Sequence, residues 1–168
     1  MLGTYLAGVL ARDLRTVKRE LEAYEDERDI WALPPGIANS AGTLALHLAG
    51  NVQHFVGAVL GKSGYVRNRD AEFSRRDVPR AELLRELDAA IEAADRTLPA
   101  LPSEVLESAF PVPLGKTTVN GTDFLIHLAA HLAYHLGQVD YHRRLVTGKN
   151  TTVAAQAIPE LRSASRVG

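Results

Sequence analysis

"FLIHLAAHLAYHLGQVDYH", residues 124–142, places four of the chain's six histidines on nineteen residues that otherwise read as the apolar face of a helix. At about 100° per residue, Leu125, Leu128, Leu132, Leu136 and Val139 form one stripe, and His127, His131, His135, Gln138 and His142 fall within roughly an 80° arc beside it. The histidines therefore border the core of whatever this helix packs against. The spacing predicts a helix from near Thr122 to about Thr147, stopped by Gly148.

Three more amphipathic segments accompany it. Leu6, Leu10, Leu14, Val17, Leu21 and Tyr24 recur every three or four residues, predicting a helix over 3–27. Asn39-Ser40 can cap a second helix, with the stripe Leu44, Leu48, Val52, Phe55 and Val59 and an end at Gly61 or Gly64. A third begins at Pro79 and runs through Leu84, Leu87, Ile91, Ala94 and Leu98 to Pro99. No strand-like alternation rivals these, although Val112 to Val119 around Gly115 fits a small hairpin. The expected fold is all-α, a four-helix bundle over residues 1–148 with a C-terminal tail or short helix, residues 149–168, packed on it. Pro34-Pro35-Gly36 makes a short turn between the first two helices. Segments 62–78 and 99–121 are longer than a tight turn needs, so at least one crosses the bundle lengthwise. The first of these spans about 56 Å when extended, against about 30 Å for a twenty-residue helix.

Composition excludes several classes. At 168 residues and 46% hydrophobic, the chain fits one globular domain. A formal net charge of −1, and a cluster of Arg67, Arg69, Arg75 and Arg76 broken by Asp70, Glu72 and Asp77, argue against nucleic acid. The absence of cysteine rules out disulfides and thiolate metal sites within the chain. The apolar run at the N-terminus is cut by Arg12 and Asp13, too short for a signal or a span, so a soluble cytoplasmic protein with no membrane partner is expected.

Reach limits how the histidines share an ion. Imidazoles four residues apart rise about 6 Å and can converge on one metal, whereas seven or eight residues means about 10.5–12 Å, too far for bonds near 2.0–2.1 Å. His131 can thus pair with His127 or with His135, and one of His47 and His54, a heptad apart on the second helix with Asn51 between them, can complete the set. Three imidazoles leave a fourth position for water or substrate, as catalytic sites do. The spacer in His-Leu-Ala-Tyr-His lacks the glutamate of His-Glu-x-x-His, so peptidase chemistry is not expected. His142, beside Arg143-Arg144 near a helix end, suits the helix dipole as a cation.

"HLAAHLAYHLGQVDYHRRL" resembles the last core helix of the DinB-like (DinB/YfiT) superfamily, whose pattern of His, three residues, His, then Gly-Gln is matched by His131, His135, Gly137 and Gln138. "NSAGTLALHLAGNVQHFVGAVLG" is similar to the helix supplying that family's first histidine, here His47, and "GYVRNRDAEFS" resembles the connection after it. The resemblance implies a bundle of up-down-down-up topology, a homodimer, and a divalent metal, whether zinc, nickel or iron, held by His47, His131 and His135. It also implies a small-molecule substrate and either thiol-dependent S-transfer, with a low-molecular-weight thiol as co-substrate, or metal-dependent hydrolysis. The alternative is a non-catalytic metal- or ligand-binding stress-response protein. Gln138 is expected to hydrogen-bond a ligand histidine or a neighbouring helix. On a connection that crosses the bundle, Arg67 and Arg69 can hold an anionic substrate, oriented by Asp70 and Glu72, or else pin the loop to the surface. Glu72, Asp70 and Tyr65 can support the chemistry of the site, but a solvated charged loop is their expected role.

Overall fold

The computed structural model describes residues 1–166. It is all-helical, with no strand among the described residues. The long helices are α1 (Leu2–Glu22), α2 (Ala41–Val52), α4 (Arg80–Thr97) and α6 (Gly121–Thr147). Two short ones, α3 (Arg69–Ser74) and α5 (Ser103–Glu107), lie in the connections. No described helix is long and apolar enough to cross a membrane.

Capping sets the boundaries. Ser40 accepts from the Thr43 N–H to start α2, and Asn120 does the same for Thr122 at the head of α6. Gly148 ends α6 at φ +68, a left-handed conformation that glycine adopts without a Cβ penalty. The first helix stops five residues short of the expected Glu27, because Asp26 accepts from the Arg28 N–H and opens a separate 3₁₀ turn, Glu27–Trp31. Beyond Val52 the second helix continues in π winding from Gln53 to Leu60 before Gly61 caps it. The expected hairpin is reduced to two isolated bridges, Ala109 with Asn120 and Leu114 with Thr117, turning through Gly115 at φ +65.

α1 packs along α4 and α6, and α2 packs along the same two helices, enclosing Leu10, Leu14, Leu21, Leu48, Leu83, Leu87, Leu125 and Leu132. Glycines fix the close approaches. A Cβ on Gly42 would lie 2.6 Å from the Trp31 ring, whose indole N–H donates to the Val78 carbonyl just before α4. At the other end, Gly61 sits against Thr97. The starts of α2 and α4 are therefore neighbours and so are their ends, and residues 62–78, with α3 packed on α2, return along the length of α2.

One end holds a polar network inside the core. Glu20 and Arg143, both almost fully buried, form an ion pair, and the same guanidinium donates to Asp140 and to the Thr151 carbonyl. His142, read as a dipole-facing cation, is instead buried. Its Nε2–H donates to the Ala32 carbonyl at 2.9 Å, and its Nδ1 accepts from the Tyr24 hydroxyl at 2.6 Å. Burial pushes its pKa below the ordinary imidazole value. The described part of the tail, residues 149–166, has one 3₁₀ turn, Ile158–Glu160. It lies over α1 and α4, held by Arg19 to the Val153 carbonyl and Glu160 and by Arg162 to Asp95. The last two residues of the tail, 167 and 168, are outside the described range.

Removing one member of a buried ion pair strands the other charge. Arg143→Ala is expected to cost about 3–5 kcal/mol in urea unfolding, and the apolar pair Glu20→Leu/Arg143→Met far less.

Candidate metal centre

His47 projects from the middle of α2 and His131 and His135 from adjacent turns of α6, where the two helices pack. The Nε2 atoms of His47 and His131 are 3.4 Å apart and those of His131 and His135 3.1 Å. One nitrogen from each of the three residues lies within 4.8 Å of the others. Two nitrogens each bonded at 2.0–2.1 Å to one tetrahedral ion stand about 3.4 Å apart, so the spacing fits a shared divalent cation.

The outward nitrogens are each engaged. His47 Nδ1–H donates to Glu72 Oε2 at 3.0 Å, and His135 Nδ1–H donates to Gln138 Oε1 at 2.6 Å. His131 Nδ1 faces the Asn51 amide at 3.3 Å through Asn51 Nδ2, while Asn51 Oδ1 is buried without a partner. Turning that amide over lets Oδ1 accept from His131 Nδ1–H, which satisfies the orphaned oxygen and frees Nε2 for a metal. The residues present thus fit the ion. All three ligand rings would be oriented by a hydrogen bond at the far nitrogen, as metal-bound imidazoles characteristically are.

Electrostatics agree. Burial, reinforced by the neighbouring His135, His47 and His127, pushes His131 down to about 4, and burial also lowers His135. Both shifts favour the neutral imidazole, the form whose lone pair a metal takes.

Glu72 departs from its expected role. Read as a solvated loop charge, it is buried, and Arg67 grips it through Nε at 2.6 Å and Nη2 at 2.8 Å. Burial opposes the carboxylate, yet Arg67 and His47 together hold its pKa below the usual value. It reaches His47 because Gly50, one turn on, has no side chain: a Cβ there would collide with Glu72 Oε1. A glycine inside an otherwise apolar helix was the available signal. Asp70 remains exposed, and Tyr65 is half-buried.

The other candidates are placed as follows. Arg67 is occupied by Glu72 and also lies 5.7 Å over the Phe55 ring. Arg69 is exposed and stacks 5.1 Å over Phe73, whose ring is 5.0 Å from that of His47. His127 is exposed, its ring 6.1 Å from His131. His54 lies against Phe55 with a buried, unpartnered Nδ1. His142 belongs to the network at the end of the core.

The family model for mycothiol-S-transferase matches residues 5–148. The chain belongs to that family. The family in turn falls within the DinB/YfiT-like superfamily. No curated protein matches the chain.

Two outcomes are expected. Glu72→Ala and Gly50→Ala, which loosen the same imidazole, should each weaken zinc binding about 10–100-fold in competition with a chromogenic chelator. In the metal-free protein, His131, His135 and His142 take up protons less readily than in the unfolded chain, where imidazoles titrate near 6.5. Their contribution to stability is therefore complete above about pH 6.5 and declines as the pH falls below it. Urea midpoints between pH 7.5 and 5.5 should show this decline, with a shallower slope for His131→Gln.

Proposed function

We propose that the protein is a divalent-metal-dependent thiol S-transferase, a four-helix bundle of up-down-down-up topology whose ion is held by His47, His131 and His135. The observation that carries this reading is the convergence of three imidazole Nε2 atoms with a hydrogen-bond partner at each opposite nitrogen. Membership of the mycothiol-S-transferase family supports a low-molecular-weight thiol, mycothiol or a relative, as the nucleophile. Zinc, nickel and iron all suit an imidazole set.

Three protein ligands leave room for substrate, and a divalent ion supplies Lewis acidity that favours a thiolate over a thiol near neutral pH. The chain's own groups have separate tasks. Glu72, fixed by Arg67, keeps the proton on His47 Nδ1 and so directs Nε2 inward; Asn51 and Gln138 do the same for His131 and His135. Arg69, stacked over the Phe73 ring beside His47, receives an anionic group of a substrate. In the reaction the thiol proton passes to water, the sulfur forms a bond to an electrophilic carbon, and the leaving group departs with the electron pair of the broken bond. A homodimer is part of this reading. Ile126, Tyr134, Tyr141 and Leu145, exposed within an arc of about 100° on α6, are apolar side chains that a second copy would cover.

Conjugation of a thiol by protein loaded in turn with zinc, nickel or ferrous iron tests the proposal. At least one metal should support turnover, and His131→Ala should lose both the bound ion and about a hundredfold or more of the rate. Wild-type rates from metal-free protein would overturn the metal dependence, and full metal occupancy without conjugation of any thiol would favour a non-catalytic metal-binding role.

A further inference from the structure

An apolar cavity of about 340 Å³ opens one helical turn from His131, between the start of α6 and the turn around Gly115. Leu114, Thr117, Val119, Asp123, Phe124 and His127 line it. The rings behind it are continuous: Phe110 and Phe124 have centroids 4.3 Å apart, Phe124 and Phe55 4.9 Å, Phe124 and His127 6.3 Å, and His127 and His131 6.1 Å. Phe110 and Phe124 are buried, Phe55 is half-buried and His127 is exposed, so the run of rings leads from the interior to the surface.

From this we infer that the cavity seats the apolar portion of the electrophilic substrate, a small aryl or alkyl group, beside the metal centre. The inference rests on the S-transferase reading and adds the substrate class. Volume and lining agree with a small ligand, since pockets of this kind begin near 300 Å³ and are mostly apolar with few polar groups. Charge excludes the other substrate from it. The lining side chains include no lysine or arginine, and Asp123 among them repels thiolates and carboxylates, so the thiol approaches from elsewhere. His127, outside the proposed ligand set, lines the cavity with its ring 6.1 Å from that of His131, and guides the reactive carbon toward the sulfur.

Two other cavities fit this task less well. One of about 620 Å³ is rimmed by Gln53, Glu92, Arg96 and Thr97 and lies between the π-wound end of the second helix and α4, away from the α2–α6 contact. One of about 420 Å³ adjoins Gln138 and His142, behind the nitrogen of His135 that faces away from the other imidazoles.

Val119→Trp, which fills the cavity, tests the inference in metal-loaded protein with two electrophiles, aromatic 1-chloro-2,4-dinitrobenzene and small polar iodoacetamide. The aryl KM should rise at least about tenfold, while metal content, the thiol KM and the KM for iodoacetamide stay within about twofold. An unchanged aryl KM overturns the cavity assignment and leaves the transferase reading standing. Should the wild type conjugate neither electrophile, that reading fails for these substrates, and the cavity is judged by calorimetric titration with unreactive 1,3-dinitrobenzene. Saturable binding to wild type that weakens at least about tenfold in Val119→Trp supports it, and equal or absent binding to both overturns it. Leu114→Ala, which enlarges the cavity, guards against misfolding of the tryptophan variant and should shift aryl affinity while sparing iodoacetamide.

Discussion

One helix can offer an ion two imidazoles and no more. Side chains four residues apart converge, and the next useful position lies a further turn away, beyond the length of a metal–nitrogen bond. A third histidine must come from another helix at matching height, so the register between α2 and α6 is the constraint around which the rest is arranged. Leucines along both helices bring them together, the Ser40 and Asn120 caps fix where each begins, and Trp31 against Gly42 sets where α2 sits.

The long return between α2 and α4 is shaped by the same constraint. It lays α3 on α2 and delivers Glu72 to His47, and Gly50 is bare where that carboxylate passes. Burying a carboxylate is unfavourable unless it is paired and hydrogen-bonded. Arg67 answers that need from five residues upstream, so the connection brings both the charge that orients the histidine and the charge that neutralises it. A connection that looked like solvent-facing spacer is thus part of the centre.

Much of this was legible in the residues themselves. Periodicity located all four long helices, because stripes such as Leu125 to Val139 are set by backbone geometry alone. The reach argument narrowed six histidines to a few sets, and the family pattern then singled out His47, His131 and His135, the group that the fold brings together. The boundary after Glu22 was hidden because the turn at Asp26 depends on a single capping bond. The burial of Glu72, Glu20, Arg143 and His142 was hidden for a different reason: local spacing carries no record of which distant partner neutralises a polar side chain. Gly50 did carry such a record, since a glycine in a helix marks a close approach without naming what approaches.

The match to the family model ends at residue 148, where Gly148 also stops α6, and a boundary drawn there looks natural. The polar network argues otherwise. Arg143 lies inside that boundary, but the Thr151 carbonyl that accepts from it lies outside, as do the Val153 carbonyl and Glu160 that hold Arg19. The packed unit among the described residues is therefore longer than the region matched by the family model, and Thr151 seals a charge pair that the core has already enclosed against water.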